Sequence, residues 1–65
     1  MDYAIGTTFK NIFSKRKDTE TVIDIYKTYN SNGELINTEY LVEHDFCGQK
    51  VKHTVCKAHI SRCLL

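Results

Sequence analysis

The sequence predicts an all-β domain, a small SH3-like barrel of four to five antiparallel strands with a long N-terminal loop. Three observations lead to this prediction. The segment from Thr21 to Asn30 is rich in β-branched and aromatic side chains, which fit a pleated sheet. The quartet from Asn30 to Gly33 has the composition of a tight hairpin turn. Residues Glu34 to Phe46 alternate apolar and polar positions with the period of a half-buried strand.

The N-terminal third is less regular than the rest of the chain. Its apolar residues are spaced in a way that suits either a short strand or a helical turn, and they are Ile5, Phe9, Ile12 and Phe13. The polar segment from Ser14 to Glu20 follows, and we expect a solvated loop there. Because that segment has no proline and no repeated glycine or serine, it connects parts of one domain.

The central hairpin carries the strongest pattern. On its first strand, Ile23 and Ile25 are expected on one face, with Asp24 on the other. On the second strand, the mostly apolar face consists of the even positions Ile36, Thr38, Tyr40, Val42, His44 and Phe46. Leu41 interrupts the alternation within an unusually long strand, and we therefore expect a bend or bulge near it.

A third strand is predicted after a second turn at Cys47-Gly48-Gln49. It runs from Lys50 to Ile60, and its apolar face shifts partway along, which indicates a bulge or a barrel corner. The tail from Ser61 to Leu65 is predicted to fold back as a helical turn or short strand that caps the core. Closing such a sheet into a barrel limits its open edges.

Length and charge restrict the possible functions. The chain has 65 residues, enough for a single small domain spanning residues 1–65, and its net charge is only +1. A dedicated electrostatic nucleic-acid binder is usually more basic. The sequence contains no apolar run of membrane-spanning length and no secretory signal pattern, and it has an odd number of cysteines. We therefore expect a cytoplasmic protein with reduced thiols and no membrane association.

Several segments of the chain resemble small uncharacterised proteins of bacteriophages and prophages. These segments are Ile5-Gly6-Thr7-Thr8, Thr21 to Asn30, Gly33-Glu34-Leu35, Tyr40, Glu43-His44 and Gly48-Gln49. The resemblance covers most of the chain. It implies an accessory protein acting in the cytoplasm of a host cell, and it supplies no catalytic residues.

The tyrosines favour a non-catalytic binding module that contacts a host or phage protein. Tyr26, Tyr29 and Tyr40 lie on predicted strands, and tyrosine is enriched in protein interfaces. A barrel of this size has little room for both a core and a substrate pocket. The sequence therefore predicts a protein partner, with no enzymatic activity, no cofactor and no small-molecule substrate.

A basic triplet in the polar loop supports an alternative function, nucleic-acid binding. Lys15, Arg16 and Lys17 offer three adjacent cations that can contact phosphates, while a nearby aromatic side chain stacks on a base. Asp18 and Glu20 follow directly and weaken the positive field. We therefore favour the interpretation of the triplet as a charged loop that serves only solvation.

A second alternative is a small zinc-stabilised domain. Three spaced pairs provide six potential ligands, namely His44 with Cys47, His53 with Cys56, and His59 with Cys63. The candidate ligand set is His44, Cys47, Cys56 and His59. On a regular strand, however, residues i and i+3 point to opposite faces, and the spacing matches no standard zinc finger. The sequence therefore predicts no tightly held metal.

Overall fold

A computed structural model describes residues 3–64, which form one antiparallel sheet and one short helix. The elements in chain order are β1 (Thr8–Lys10), β2 (Thr19–Tyr29), β3 (Leu35–Phe46), β4 (Gln49–Cys56) and α1 (Lys57–Cys63). The strands are arranged in the order β1-β2-β3-β4, and every neighbouring pair is antiparallel. The predicted all-β class is confirmed, and the four strands are consistent with a small barrel-like domain.

Both predicted turns are present, and each has a local cause. In the β2–β3 turn, the Asn30 side-chain oxygen accepts hydrogen bonds from the backbone N–H groups of Asn32 and Glu34. Gly33 completes that turn with a left-handed φ of +82°. The β3–β4 turn has two consecutive left-handed residues, Cys47 at +50° and Gly48 at +80°. This conformation matches the twist of the flanking strands.

The irregularities of the β2–β3 ladder lie at Ile23 of β2 and at Ile36 of β3, not at Leu41 as the sequence predicts. Val22 pairs with Val42, but the next pair joins Asp24 to Leu41, which leaves Ile23 as an extra residue. On its other side Leu41 pairs regularly with β4. Downstream of the bulge, Ile25 packs against the core, and Ile23 does not belong to the core cluster.

The third predicted strand is shorter than expected. β4 ends at Cys56, and the residues up to Cys63 form α1. The apolar shift at Cys56, Ala58 and Ile60, which predicts a bulge or a barrel corner, instead marks the change from strand to helix. Helical spacing directs Ile60 and Cys63 towards the core, which agrees with the expected capping role of the tail. No helix within residues 3–64 is long and apolar enough to cross a membrane.

The core lies at one end of the sheet. Its buried apolar side chains are Phe9, Val22, Tyr40, Val42 and Ile60. Tyr3 joins the sheet to the helix, because its backbone N–H donates to the Tyr40 hydroxyl and its own hydroxyl is 2.7 Å from the Ser61 Oγ. The half of the β2–β3 hairpin that includes the turn has no buried residue. The molecule is correspondingly elongated, measuring 44 × 25 × 18 Å.

Candidate functional site

A buried carboxylate lies at the core end of the sheet. Glu20 is fully buried in β2, although the sequence had placed it in a solvated loop. Its Oε1 is 3.1 Å from the Nδ1 of His44 and also contacts the Nε2 of His53. Its Oε2 accepts a 2.7 Å hydrogen bond from the Asn11 side-chain amide. We call these four residues the polar cluster.

Strand register brings the polar cluster together. The β2–β3 ladder pairs Thr21 with Glu43, which makes Glu20 and His44 cross-strand neighbours. The β3–β4 ladder pairs Val42 with His53. Because side chains two residues apart share a face, Val42 and His44 point the same way. Glu20, His44 and His53 therefore meet on one face although they come from three different strands.

Further contacts fix the orientation of the cluster. The Asn11 side-chain oxygen accepts a hydrogen bond from the Phe13 backbone N–H, so that the Asn11 amide nitrogen faces Glu20. The other ring nitrogen of His44, Nε2, lies 3.8 Å from a carboxylate oxygen of Asp18. Asp18 is also 3.7 Å from the Nε of Arg16. The cluster thus has a second layer of polar partners.

Two opposing effects determine the ionisation of Glu20. Burial alone raises the pKa of this carboxyl group, but hydrogen bonds from His53, Asn11 and His44 and the positive charge of His53 outweigh burial and lower the pKa below its ordinary value. Glu20 is therefore an anion at neutral pH.

The cluster opens to solvent at His53. The His53 side chain is 40% exposed, compared with 16% for His44 and 1% for Glu20. Within residues 3–64, Glu20, His44 and His53 are the only group of three or more histidine, cysteine or acidic side chains whose ligand atoms all lie within 4.8 Å of one another. These three residues can together hold a metal ion.

The zinc ligand set considered from the sequence is not assembled. Of its four members, only His44 belongs to the polar cluster. Cys47 lies in the exposed β3–β4 turn, and Cys56 is exposed at the junction of β4 and α1. His59 lies on α1, where its ring packs against Phe13 with a centroid distance of 5.0 Å. Sequence spacing grouped these residues, but the sheet register separates them.

The three tyrosines proposed for partner binding have different environments. Tyr40 is fully buried in the core, where its hydroxyl accepts the hydrogen bond from Tyr3, and it presents no surface to a partner. Tyr26 is 46% exposed and Tyr29 is 56% exposed. Only Tyr26 and Tyr29 therefore remain as candidates for a binding surface.

Aliphatic side chains extend the surface around Tyr29. Tyr29 pairs with Leu35, which is 48% exposed, and the adjacent Ile36 is 61% exposed. Tyr26 pairs with Glu39 and, three residues before Tyr29 on the same strand, points to the opposite face of the sheet. We call Tyr29, Leu35 and Ile36 the hairpin-tip surface. It was missed as a set because Leu35 and Ile36 resemble ordinary strand residues in the sequence.

An open strand edge borders the hairpin-tip surface. β4 pairs with β3 only from Glu39 onwards, so that residues 35–38 of β3 have no strand partner on that side among the described residues. A groove of about 370 Å³ follows this edge. It is lined by Leu35, Ile36, Asn37, Thr38, Cys56, Lys57 and Ala58.

The basic triplet lies in the exposed loop between β1 and β2. The Arg16 guanidinium is 4.4 Å above the centre of the Phe46 ring and also contacts Asp18. Lys15 and Lys17 are exposed on either side of it. Arg16 therefore stabilises the loop against β3, which reduces its availability to a phosphate.

Comparison of the chain with protein-family models, with curated proteins and with solved structures gives no match.

Proposed function

We propose that this protein is a non-catalytic binding module that contacts a protein partner through the hairpin-tip surface. One observation carries the proposal. Three large side chains that are each about half exposed or more, Tyr29, Leu35 and Ile36, lie together at the end of a hairpin that extends beyond the core. Apolar surface of this kind is costly to leave in water, and clustered exposed aromatic and aliphatic side chains mark interaction sites.

The groove beside β3 indicates how a partner binds. In this mode an extended segment of the partner pairs with residues 35–38 of β3 as an additional strand. It occupies the position next to β3 that β4 no longer fills beyond Cys56. Main-chain hydrogen bonds supply affinity in this mode, while Leu35 and Ile36 supply apolar contacts. The favoured partner segment is therefore extended and carries apolar side chains at alternate positions.

The resemblance to bacteriophage and prophage accessory proteins supports a host or phage protein as the partner, met in the cytoplasm of the host cell. Nucleic acid is the alternative partner. Two observations weigh against it, namely the net charge of +1 and the engagement of Arg16 with Phe46 and Asp18.

The test uses capture of partners from host lysate, with and without nuclease. Tyr29→Ala and Ile36→Ala are expected to reduce capture of a specific protein at least about tenfold, because each removes apolar contact area from the hairpin-tip surface. Ile5→Ala is the matched control, since Ile5 is 63% exposed but lies outside the hairpin. Circular dichroism and melting curves establish that each variant is folded.

The triple substitution of Lys15, Arg16 and Lys17 by glutamine separates the two kinds of partner. Under the proposal it leaves capture nearly unchanged, and nuclease has no effect. Capture that disappears with nuclease, falls steeply with added salt and requires the basic triplet would establish nucleic acid as the partner. Equal loss in Ile5→Ala and Ile36→Ala would show that the hairpin tip has no special role.

A further inference from the structure

We propose that Glu20, His44 and His53 form a binding site for a divalent transition-metal ion, with Zn²⁺ as the best fit, which ties β2, β3 and β4 together. The three side chains offer one carboxylate oxygen and two imidazole nitrogens. These are ligand types that Zn²⁺ accepts, and two histidines with one glutamate form a known zinc ligand set. Imidazole ligands disfavour Mg²⁺ and Ca²⁺, which prefer oxygen.

The donor atoms converge on one point. The Nδ1 of His44 and the Nε2 of His53 both approach the Oε1 of Glu20, and the two imidazole rings are 5.8 Å apart at an angle of 79°. Ligands bound about 2.0–2.1 Å from a zinc ion lie roughly 3.3 Å from each other in a tetrahedron. The His44–Glu20 distance of 3.1 Å is already close to that value. His53 is partly exposed, and a small movement of its ring provides the space for the ion.

The surrounding polar groups match those that support metal ligands. A histidine that binds a metal through one nitrogen usually donates its other N–H to a carboxylate or carbonyl. The Nδ1 of His44 faces the candidate site, while its Nε2 faces the Asp18 carboxylate at 3.8 Å, an ion-pair separation that must shorten for this hydrogen bond to form. Asn11 likewise holds the second oxygen of Glu20 at 2.7 Å, which leaves Oε1 to face the histidines.

Charge also favours a cation at this position. Glu20 and Asp18 bring two negative charges to the region, and Arg16 contacts Asp18 on the side away from His44. A divalent ion between the carboxylate and the imidazoles adds positive charge where a buried anion needs it. The open side at His53 leaves room for water as the fourth ligand.

The site differs from the cysteine-containing set considered in the sequence analysis. For that set the sequence predicts no tightly held metal, because ligands three residues apart on a strand diverge. In the polar cluster each ligand comes from a different strand, and the register brings them to one face. Cys47 and Cys56 are exposed and take no part.

The experiment measures Zn²⁺ affinity of tag-free, chelator-treated protein by competition with a chromophoric chelator. We expect one Zn²⁺ per chain and a melting temperature that rises with Zn²⁺ concentration. His53→Ala should weaken binding at least about 100-fold, and Asp18→Asn about tenfold. His59→Ala and the double variant Cys47→Ser/Cys56→Ser are the controls, and they should change affinity less than about twofold.

Co²⁺ substitution identifies the ligands independently of stability. The proposal predicts visible absorption from a low-coordinate site without the near-ultraviolet band of cobalt–thiolate bonds, and loss of this absorption in folded His53→Ala. A thiolate band that disappears in the cysteine double variant would overturn the assignment. Absence of stoichiometric binding at about 10 µM Zn²⁺, or unchanged affinity in His53→Ala, would also overturn it.

Discussion

Glu20 is a buried carboxylate. Its two oxygens contact side chains from the loop after β1, from β3 and from β4. A buried charge is tolerated only where hydrogen bonds and opposite charges replace water. Asn11 and the two histidines provide that replacement. A single side chain thus contacts residues that lie up to 33 positions away from it in sequence.

Replacing Glu20 by alanine is expected to lower the free energy of unfolding by about 3 kcal/mol, because it leaves the Asn11 amide and the inner nitrogen of His44 without a partner. Urea unfolding at neutral pH with chelator present measures the loss. Glu34→Ala is the control, since Glu34 is exposed in the β2–β3 turn, and it should cost less than about 0.5 kcal/mol. Similar losses in both variants would contradict a structural role for the polar cluster.

The sequence indicated His44 and His53 as possible ligands but not their partner. The signal was incomplete, because a charged residue in a polar segment gives no sign that it is buried. The β3–β4 turn at Cys47-Gly48 does place Val42 opposite His53 once its two-residue length is known. The pairing of Glu20 with His44 can be counted from the β2–β3 turn, because the extra residue Ile23 in β2 is offset by the extra residue Ile36 in β3. The burial of Glu20, in contrast, depends on tertiary packing that has no local signal.

The helix α1 shows how strongly a short element depends on packing. It has seven residues, and no side chain caps its N-terminus at Cys56. An isolated helix of this length is unstable in water. Ile60 is its one buried residue and inserts among Phe9, Val22, Tyr40 and Val42. The helix is therefore held by the core that it covers.

Ile60→Ala is expected to destabilise the protein by about 2–5 kcal/mol, because it leaves a cavity between α1 and the sheet. Total stability of a domain is only about 5–15 kcal/mol, so a large share is lost. Thermal and urea unfolding give the value. Leu64→Ala, at a residue 49% exposed just after α1, should cost less than about 1 kcal/mol. A loss below about 1 kcal/mol for Ile60→Ala would show that the helix does not seal the core.

Elements with local signals were predictable and those that depend on tertiary contacts were not. The β2–β3 hairpin follows from alternation and from the Asn30–Gly33 turn, whose hydrogen bonds are all local. The strand-to-helix change at Lys57 has no such signal, since seven residues are too few for a clear helical period. The burial of Tyr40 likewise results from Tyr3 and α1 packing over β3.

At the scale of the whole molecule, stability is distributed unevenly. Among residues 3–64, all buried apolar side chains lie at the end of the sheet where β1 and α1 pack, whereas residues 26–37 of the projecting hairpin include none. Local stability follows the density of buried contacts. The hairpin tip is therefore held mainly by its backbone ladder and its turn.

Amide hydrogen exchange measured by NMR is expected to show this gradient. Amides paired across the ladder near the tip, such as Thr28 and Asn37, should exchange at least about 100-fold faster than those of Val22 and Val42 in the core. Both sets of amides belong to residues of the β2–β3 ladder. A difference between their exchange rates therefore reports local opening of the hairpin. Uniform protection along the hairpin would contradict the expectation and indicate a tip as rigid as the core.

The bulge at Ile23 bears on whether β2 tolerates the deletion of one residue. In a regular strand, losing one residue turns every later side chain to the opposite face. Here β2 contains one residue more than the facing part of β3 between the pairs Val22–Val42 and Asp24–Leu41. Deletion of Ile23 would leave Asp24 opposite Leu41 and Ile25 opposite Tyr40, as they are now. This strand can therefore lose one residue by deletion without inverting the surface that its hairpin presents.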